Sequence, residues 1–402
     1  METHNAEPRT AAVDGRVVVK RVVFLALQLG LIAQGLVEAA ITATLPDMAR
    51  DFGVNGEFAA QMMLGSGALG LMFGALVSGR LLEWAGARRC FLAALLAFGL
   101  FGAAGLFLHD VRLLFAARVV VGMAASCLTT CCLWGISVSY SGSARARVFS
   151  VAGATGGVAV LASIVAGGFL TQHFGWRAPF ALYPAFALCA WPLAWGGIEQ
   201  RRPPRQAIGG EGAWGRLLPF YGLVLLFYAI VGMSSMQLPF LLEAHGVLEA
   251  GARSLIQSVP GIAAIVGAFS YGALQDRLGA GRAFFASLIF MAAGLAALAS
   301  SGSVPVIVLG ALAVGLCMGL SGPHFYHVVS ERATGRAGGR FIGYLNAFTF
   351  FGVFLNPLVF EPAKSVLGMS GIYAASALVI VVVGIGAAWR GARAGRVTSP
   401  SL

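Results

Sequence analysis

Charge is scarce in this chain. Only 11% of its 402 residues are Asp, Glu, Lys or Arg, against about 25% in soluble domains. So little charge cannot clothe a water-facing surface of this size, which excludes a soluble globular protein. Lysine is almost missing: Lys20 and Lys364 leave 25 of the 27 basic residues as arginine, a bias that points to a GC-rich bacterial genome. The six cysteines (Cys90, Cys127, Cys131, Cys132, Cys189 and Cys317) all lie in apolar runs without metal-site spacing, so they read as small packing residues. No GxxxxGK[ST] loop is present to cradle nucleotide phosphates, and no HExxH, GxSxG or paired-carboxylate site stands in a plausible context. An ATP-driven pump and an enzyme are therefore not expected, nor is any cofactor or metal. The net charge of +11 is spread in short runs between apolar stretches rather than gathered in a patch, so nucleic acid is not expected as a partner. About twenty polar residues precede the first apolar run, which does not fit a signal peptide.

What is abundant is apolar length. Hydrophobic residues make up 58% of the chain, in twelve runs near 22–46, 57–80, 89–108, 112–138, 147–171, 178–197, 217–242, 252–275, 282–301, 303–328, 340–361 and 369–390. A spanning helix needs about 20 apolar residues to cross about 30 Å of hydrocarbon. Runs this long exclude barrel strands of roughly ten residues. The expected fold is an all-α membrane protein with twelve transmembrane helices. The N-tail, the loops after even-numbered spans and the C-tail carry 21 of the 27 basic residues. The opposite loops carry five (Arg50, Arg112, Arg177, Arg253 and Lys364), and Arg118 lies within a span. Both termini are therefore placed in the cytoplasm.

Residues 34–130 and 227–323 share a skeleton at one offset of 193. Pro46 recurs as Pro239, and Gly53-Val54 as Gly246-Val247. Gly79, Leu81, Glu83, Gly86 and Arg89 recur as Gly272, Leu274, Asp276, Gly279 and Arg282, and Gly122 recurs as Gly315. Such a register means two copies of one unit, with a pathway expected between them. The resulting division is an N-tail over 1–21, a six-helix bundle over 22–197, a central loop over 198–216, a second bundle over 217–390 and a C-tail over 391–402.

The segment from Gly79 to Arg89, with Arg88 beside it, resembles the cytoplasmic loop signature of the major facilitator superfamily. The copy from Gly272 through Asp276-Arg277 and Gly279 to Arg282 matches it more closely. Arg118-Val-Val-Val-Gly122 resembles that superfamily's fourth-helix motif, and Gly175-Trp176-Arg177 its fifth-to-sixth loop. The likeness spans both halves and is greatest to twelve-span drug:proton antiporters and related metabolite exporters. It implies two parallel-related six-helix bundles that rock about a central cavity lined by helices 1, 4, 7 and 10. It also implies that the loop carboxylates lock the cytoplasmic side shut. Glu83 and Trp84 depart from the family's Asp and basic residue, so the weaker lock is expected there and the stronger at Asp276-Arg277. The alternative is that these are ordinary loop charges. A further departure lies in the fifth helix, where Ser163-Ile164 replaces the antiporters' Gly-Pro ahead of Gly167-Gly168, while Asn356-Pro357 holds the equivalent place in helix eleven.

Glu38 is the one acid expected deep within a span. It lies eight residues before Pro46, about 12 Å from the outer end, and Arg118 lies at a similar depth of about 9 Å. A charge at the bilayer centre costs about 2.5–3.5 kcal/mol on insertion scales, so two opposite charges at matching depth suggest a pair or a shared wet cavity. Gln34, Glu38 and Thr42 fall on one helical stripe, as do Arg118, Gly122 and Ser126. Glu38 is the expected proton-coupling acid, because loss of water favours its neutral form while water or Arg118 favours its charge. A permanent structural Glu38–Arg118 pair is the competing reading. Met233 and Gln237 on helix seven, His324 in the Pro323–His327 run and Asn346 are candidate cavity residues, with core packing or an interfacial aromatic belt as the alternative. The expected function is proton-coupled efflux of a drug-like or amphipathic small metabolite by a monomer in the bacterial inner membrane. Its expected partners are substrate, protons and lipid. The rivals are a symporter or facilitator importing a small organic solute and, more remotely, a non-transporting membrane receptor.

Overall fold

The computed structural model describes residues 23–202, 214–300, 302–332 and 338–397. The expected N-tail, the middle of the central loop and the last five residues of the expected C-tail lie outside them. Among the described residues eleven helical segments are long and apolar enough to cross a membrane. The last, Phe341–Gly386, contains two helices, because Gly368 breaks it at φ 72 and ψ 173. The described residues thus form α1 (Val23–Phe52), α2 (Gly56–Ala85), α3 (Ala87–Phe107), α4 (Val111–Ser139), α5 (Gly142–Phe174) and α6 (Ala178–Gly197). There follow α7 (Trp214–Ala244), α8 (Ala250–Leu278), α9 (Ala280–Ser300), α10 (Val304–Arg332), α11 (338–367) and α12 (369–397). No strand occurs among the described residues, as expected where lipid cannot satisfy backbone polar groups.

The repeat is written into the backbone. Among the described residues six glycines have positive φ, and they form three pairs at the offset of 193: Gly53 with Gly246, Gly86 with Gly279, and Gly175 with Gly368. Each pair ends equivalent helices in the two halves, where an L side chain in that conformation would be strained. The repeat therefore extends past Gly122 and Gly315 to cover each half.

Packing follows the same division. One core runs from Ala26 to Ile198 and takes in Met236 and Phe240 from the second half, with Phe350, Val353 and Met369 packed against it. The other runs from Leu217 to Ile380. Five cysteines are buried as packing residues, and Cys189 is exposed. Matched close approaches pin α4 to α2 and α10 to α8. A Cβ on Gly122 would lie 2.2 Å from the Gly67 carbonyl oxygen, and one on Gly315 would lie 2.2 Å from that of Pro260. The halves meet along two seams, α2 against α11 and α5 against α8.

Candidate functional site

The geometry starts with a break in α1. Regular helix ends at Ala39, and a 3-10 turn over Thr42–Thr44 precedes a second helical piece, Leu45–Phe52. Ala40 still donates to the Leu36 carbonyl at 3.1 Å, but Ile41 turns away at φ −110 and ψ 3. The Val37 carbonyl loses its helical donor there. Glu38, the next residue, is exposed, with Tyr228 and Tyr326 of the second half near it. Gln34 donates to its Oε1 at 3.2 Å, and Thr129 of α4 bonds both Gln34 Oε1 at 3.3 Å and the Gly30 carbonyl at 2.9 Å. Across the cleft, Tyr228 of α7 and Tyr326 of α10 lie within electrostatic reach of Glu38. Tyr326 donates to Asn346 Oδ1 at 2.7 Å.

Arg118 does not meet Glu38, which corrects the expected pair and shared cavity. Its side chain is 2% exposed and lies inside the first bundle. Nη2 donates to the orphaned Val37 carbonyl at 2.8 Å, Nη1 to Tyr183 Oη at 2.6 Å, and Nε to the Met63 carbonyl at 3.4 Å. Tyr183 in turn donates to the Leu36 carbonyl at 3.2 Å. The guanidinium thus clasps α1, α2 and α6 at the break, one residue from Glu38. A planar fork with several donors suits this task, and a buried cation needs such partners.

Other expected cavity residues are relocated too. Thr42 is buried in the 3-10 turn, bonded to Ala39, because the break rotates it off the Gln34–Glu38 stripe. Ser126 is buried against Gly74, since the Gly122 stripe faces α2 rather than the cleft. Met233 is fully buried in the second core. His324 is buried, stacked on Phe284 at 4.6 Å, with its Nδ1 3.3 Å from Tyr271 Oη. Gln34 and Asn346 are partly exposed. Gln237 is buried at a different place, the seam on the face opposite the Arg-rich loops.

On that face an unforeseen polar cluster joins the halves. Arg50 is paired with Glu243, its own equivalent at the 193 offset, and with Asp47. Asp47 also pairs with Arg253, whose side chain is fully buried. Lys364 pairs with Glu57 and lies 3.1 Å from Glu361. Gln61 and Gln237 donate to Glu361 Oε2 at 2.8 and 3.3 Å. Glu361 is half-buried near the latch end of α11. The opposite charges at positions 50 and 243 were the signal available in the sequence. A cavity of about 720 Å³ lies beside this latch, lined by Phe58, Phe240, Glu243, Glu361 and Lys364 among others.

A twelve-helix chain in two equivalent halves, joined by two seams with a polar group facing the cleft, invites comparison with known transporters. The family model of the Major Facilitator Superfamily matches residues 27–357. The chain belongs to the major facilitator superfamily. It is a multi-pass membrane transporter. It is similar to the puromycin resistance protein of Streptomyces alboniger, 31% identical over 221 residues, an alignment that covers 53% of this chain and 42% of that protein. It is also similar to the 3-(3-hydroxy-phenyl)propionate transporter of Escherichia coli, 28% identical over 348 residues, covering 80% of this chain and 81% of the other. A crystal structure of a mutant nucleoside transporter NupG shares the fold, with TM-score 0.70 at 13% identity, over 91% of this chain and 99% of that one.

The superfamily's loop signature is held differently from expectation. Among the described residues no ion pair holds Glu83 or Asp276, and Arg277 and Arg282 are exposed. The first copy is instead tied by the segment after α6. Gln200 donates to the Ala85 carbonyl at 2.8 Å and accepts from Arg89 N, Arg201 O accepts from Ala87 N, and Arg88 stacks on Trp195 at 4.4 Å. The expected stronger lock at Asp276-Arg277 is therefore not formed in this conformation. Gly79 and Gly272 have open space around them, so they serve no close contact here.

Proposed function

We propose that this transporter exports small amphipathic organic amines in exchange for protons, with Glu38 carrying the proton. The observation that carries the reading is the setting of Glu38. It is a carboxylic acid in the cleft between the halves, bonded to a neutral amide and faced by two tyrosines. Arg118 is turned into the bundle and His324 is sealed behind Phe284 and Tyr271. Neither can neutralise a substrate anion in the cleft, whereas Glu38 can bind either a proton or an ammonium group. Competition between those two cations for one carboxylate is the simplest form of exchange. Arg118 acts as a positioning residue that fixes the break presenting Glu38. The bias of 21 of 27 basic residues to one face supports cytoplasmic termini in a bacterial inner membrane. The likeness to a resistance protein supports outward transport.

The test uses inside-out vesicles. Glu38→Gln is expected to abolish accumulation driven by a pH gradient and, because the ammonium loses its counter-charge, to weaken substrate binding as well. Gradient-driven accumulation that survived intact would sink the role of Glu38. Import of an organic solute is the second reading, favoured by the 80% coverage of this chain in the match to the Escherichia coli transporter. In intact cells export predicts that substrate accumulation rises when a protonophore collapses the gradient, and import predicts a fall.

A further inference from the structure

We propose that Tyr326 and Asn346, with Tyr228 beside them, form the substrate-selecting face of the cleft. They read a neutral hydrogen-bonding group, such as an amide or hydroxyl, on an organic amine whose charge rests at Glu38. The proposal builds on the Glu38 reading above and assigns the opposite wall. In the run Pro323–His327, neighbouring side chains fix which residue turns outward. His324 stacks on Phe284, and Phe325 is packed edge-on against Phe227 and Phe284 at 5.2 and 5.5 Å. With those two held in the second core at 8% and 1% exposure, the next residue, Tyr326, is left 46% exposed to the cleft.

The hydrogen bond from Tyr326 to Asn346 then sets what this wall offers. The only phenolic proton is committed at 2.7 Å, which leaves the phenol oxygen as an acceptor. The Asn346 amide, with its oxygen engaged, presents its NH₂ as a donor. An acceptor and a donor side by side match the two edges of an amide or the two roles of a hydroxyl. The rings of Tyr326 and Tyr228 add faces on which a cation can rest. Both tyrosines come from the second half and lie near Glu38, so the proposed substrate would meet the acid from the first half and this wall from the second.

The matching positions make the division of labour plain. Glu38 has Val231 as its equivalent at the offset of 193, so the second half supplies no acid of its own there. Charge comes from one half and neutral hydrogen bonding from the other. A substrate carrying only the amine engages one wall. A substrate carrying both groups bridges the halves and favours their closure around it.

Two probes test this with the full-length protein in inside-out vesicles: N,N-dimethylbenzylamine and its para-carboxamide derivative. The wild type is expected to show a KM for the carboxamide on the order of tenfold lower than for the plain amine, one good hydrogen-bonded contact being worth about that factor. Asn346→Leu and Tyr326→Phe are each expected to bring the ratio of the two KM values close to one, with the pH profile still set by Glu38. Tyr326→Phe changes one atom and serves if Asn346→Leu disturbs the fold, and melting temperatures report which has happened. A ratio that persists in both variants, or no ratio in the wild type, overturns the assignment of this wall. Transport of neither probe by the wild type overturns the substrate class. Unaltered gradient-driven transport in Glu38→Gln overturns the coupling reading instead, so the two failures are separable.

Discussion

Arg118 offers the sharpest contrast between a positioning clasp and a coupling pair, because the two predict opposite rankings for its substitutions. The guanidinium makes three hydrogen bonds, to Val37 O, Tyr183 Oη and Met63 O at 2.8, 2.6 and 3.4 Å. Hydrogen bonds from a charged donor contribute about 1.5–3 kcal/mol each. Arg118→Lys keeps the buried charge but has a single nitrogen, which can serve about one of the three acceptors from one position. It loses two such bonds, about 3–6 kcal/mol, and nothing offsets the loss. Arg118→Met leaves the Val37 carbonyl unpaired and takes from the Tyr183 hydroxyl one of its two partners, the Leu36 carbonyl remaining, at about 1–3 kcal/mol each. It also removes the cost of holding a charge in the membrane, about 2.5–3.5 kcal/mol, so its net cost is smaller, roughly 0–3 kcal/mol. The charge-keeping variant is thus expected to be the less stable of the two. At about 2–4 °C per kcal/mol, the lysine variant should melt at least roughly 6 °C below wild type in detergent, with methionine between them. If lysine matched wild type while methionine lost its proton dependence as Glu38→Gln does, the point charge would matter and the clasp argument would be wrong.

Two further outcomes follow from the packing. Asp47→Asn leaves the fully buried Arg253 with Glu243 at 3.9 Å as its nearest carboxylate partner. The latch face should then open more often, so a cysteine placed at Gln61 in a cysteine-free background should react at least about tenfold faster with an impermeant maleimide, the factor for a 1.4 kcal/mol shift. An unchanged rate would show that these pairs do not hold that face shut. Gly122→Ala and Gly315→Ala each force a Cβ to 2.2 Å from a carbonyl oxygen, and overpacking of this kind costs about 1–3 kcal/mol. Both should lower the melting temperature by similar amounts, whereas Gly79→Ala and Gly272→Ala, in open space, should not. Equal loss at all four positions would contradict the packing role.

Much of the fold was legible because its determinants are local. Runs of apolar residues mark spans, and the repeated glycines of the offset mark turns that the backbone makes at positive φ. Glu38 could be placed because an acid in such a run is conspicuous on its own. Its relation to Arg118 could not, because the direction an arginine takes depends on which carbonyl lacks a donor. That carbonyl is Val37 O, orphaned by a break at residues 40–44 in a stretch, Ala40-Ile41-Thr42-Ala43-Thr44, without proline or glycine. The same break took Thr42 off its stripe, since a periodicity argument assumes an unbroken helix. His324 and Met233 were misplaced for a different reason: periodicity finds a polar or soft residue but not which of two buried faces it meets. Arg50, Arg253 and Lys364 read as loop charges, because ion pairing between halves is a property of packing alone.

The latch also says where opening on that face must cost most. Arg50 and Glu243 are equivalent residues that touch, and two residues related by an approximate two-fold can touch only near its axis. Two arginines or two glutamates there would repel, so the symmetry is broken in charge at the one place where contact is unavoidable. The seams on either side of the axis are equivalent as well. Gln61 and Glu361 of the α2/α11 seam correspond, at the offset of 193, to Ser254 and Gly168 of the α5/α8 seam. In α5/α8 that slot is filled by close packing, a Cβ on Gly168 coming within 2.3 Å of Ser254. In α2/α11 it holds an amide–carboxylate bond of 2.8 Å, flanked by Gln237 and by Lys364 with its two carboxylates. Small residues in contact can roll over one another with little loss, but bonded polar groups must be parted and rehydrated. The α5/α8 seam is therefore suited to act as the pivot, and the α2/α11 seam as the closure that has to be undone. With Glu38 proposed to carry the proton in the first half and Tyr326 and Asn346 proposed to read the substrate in the second, the two halves share a backbone plan but not a task.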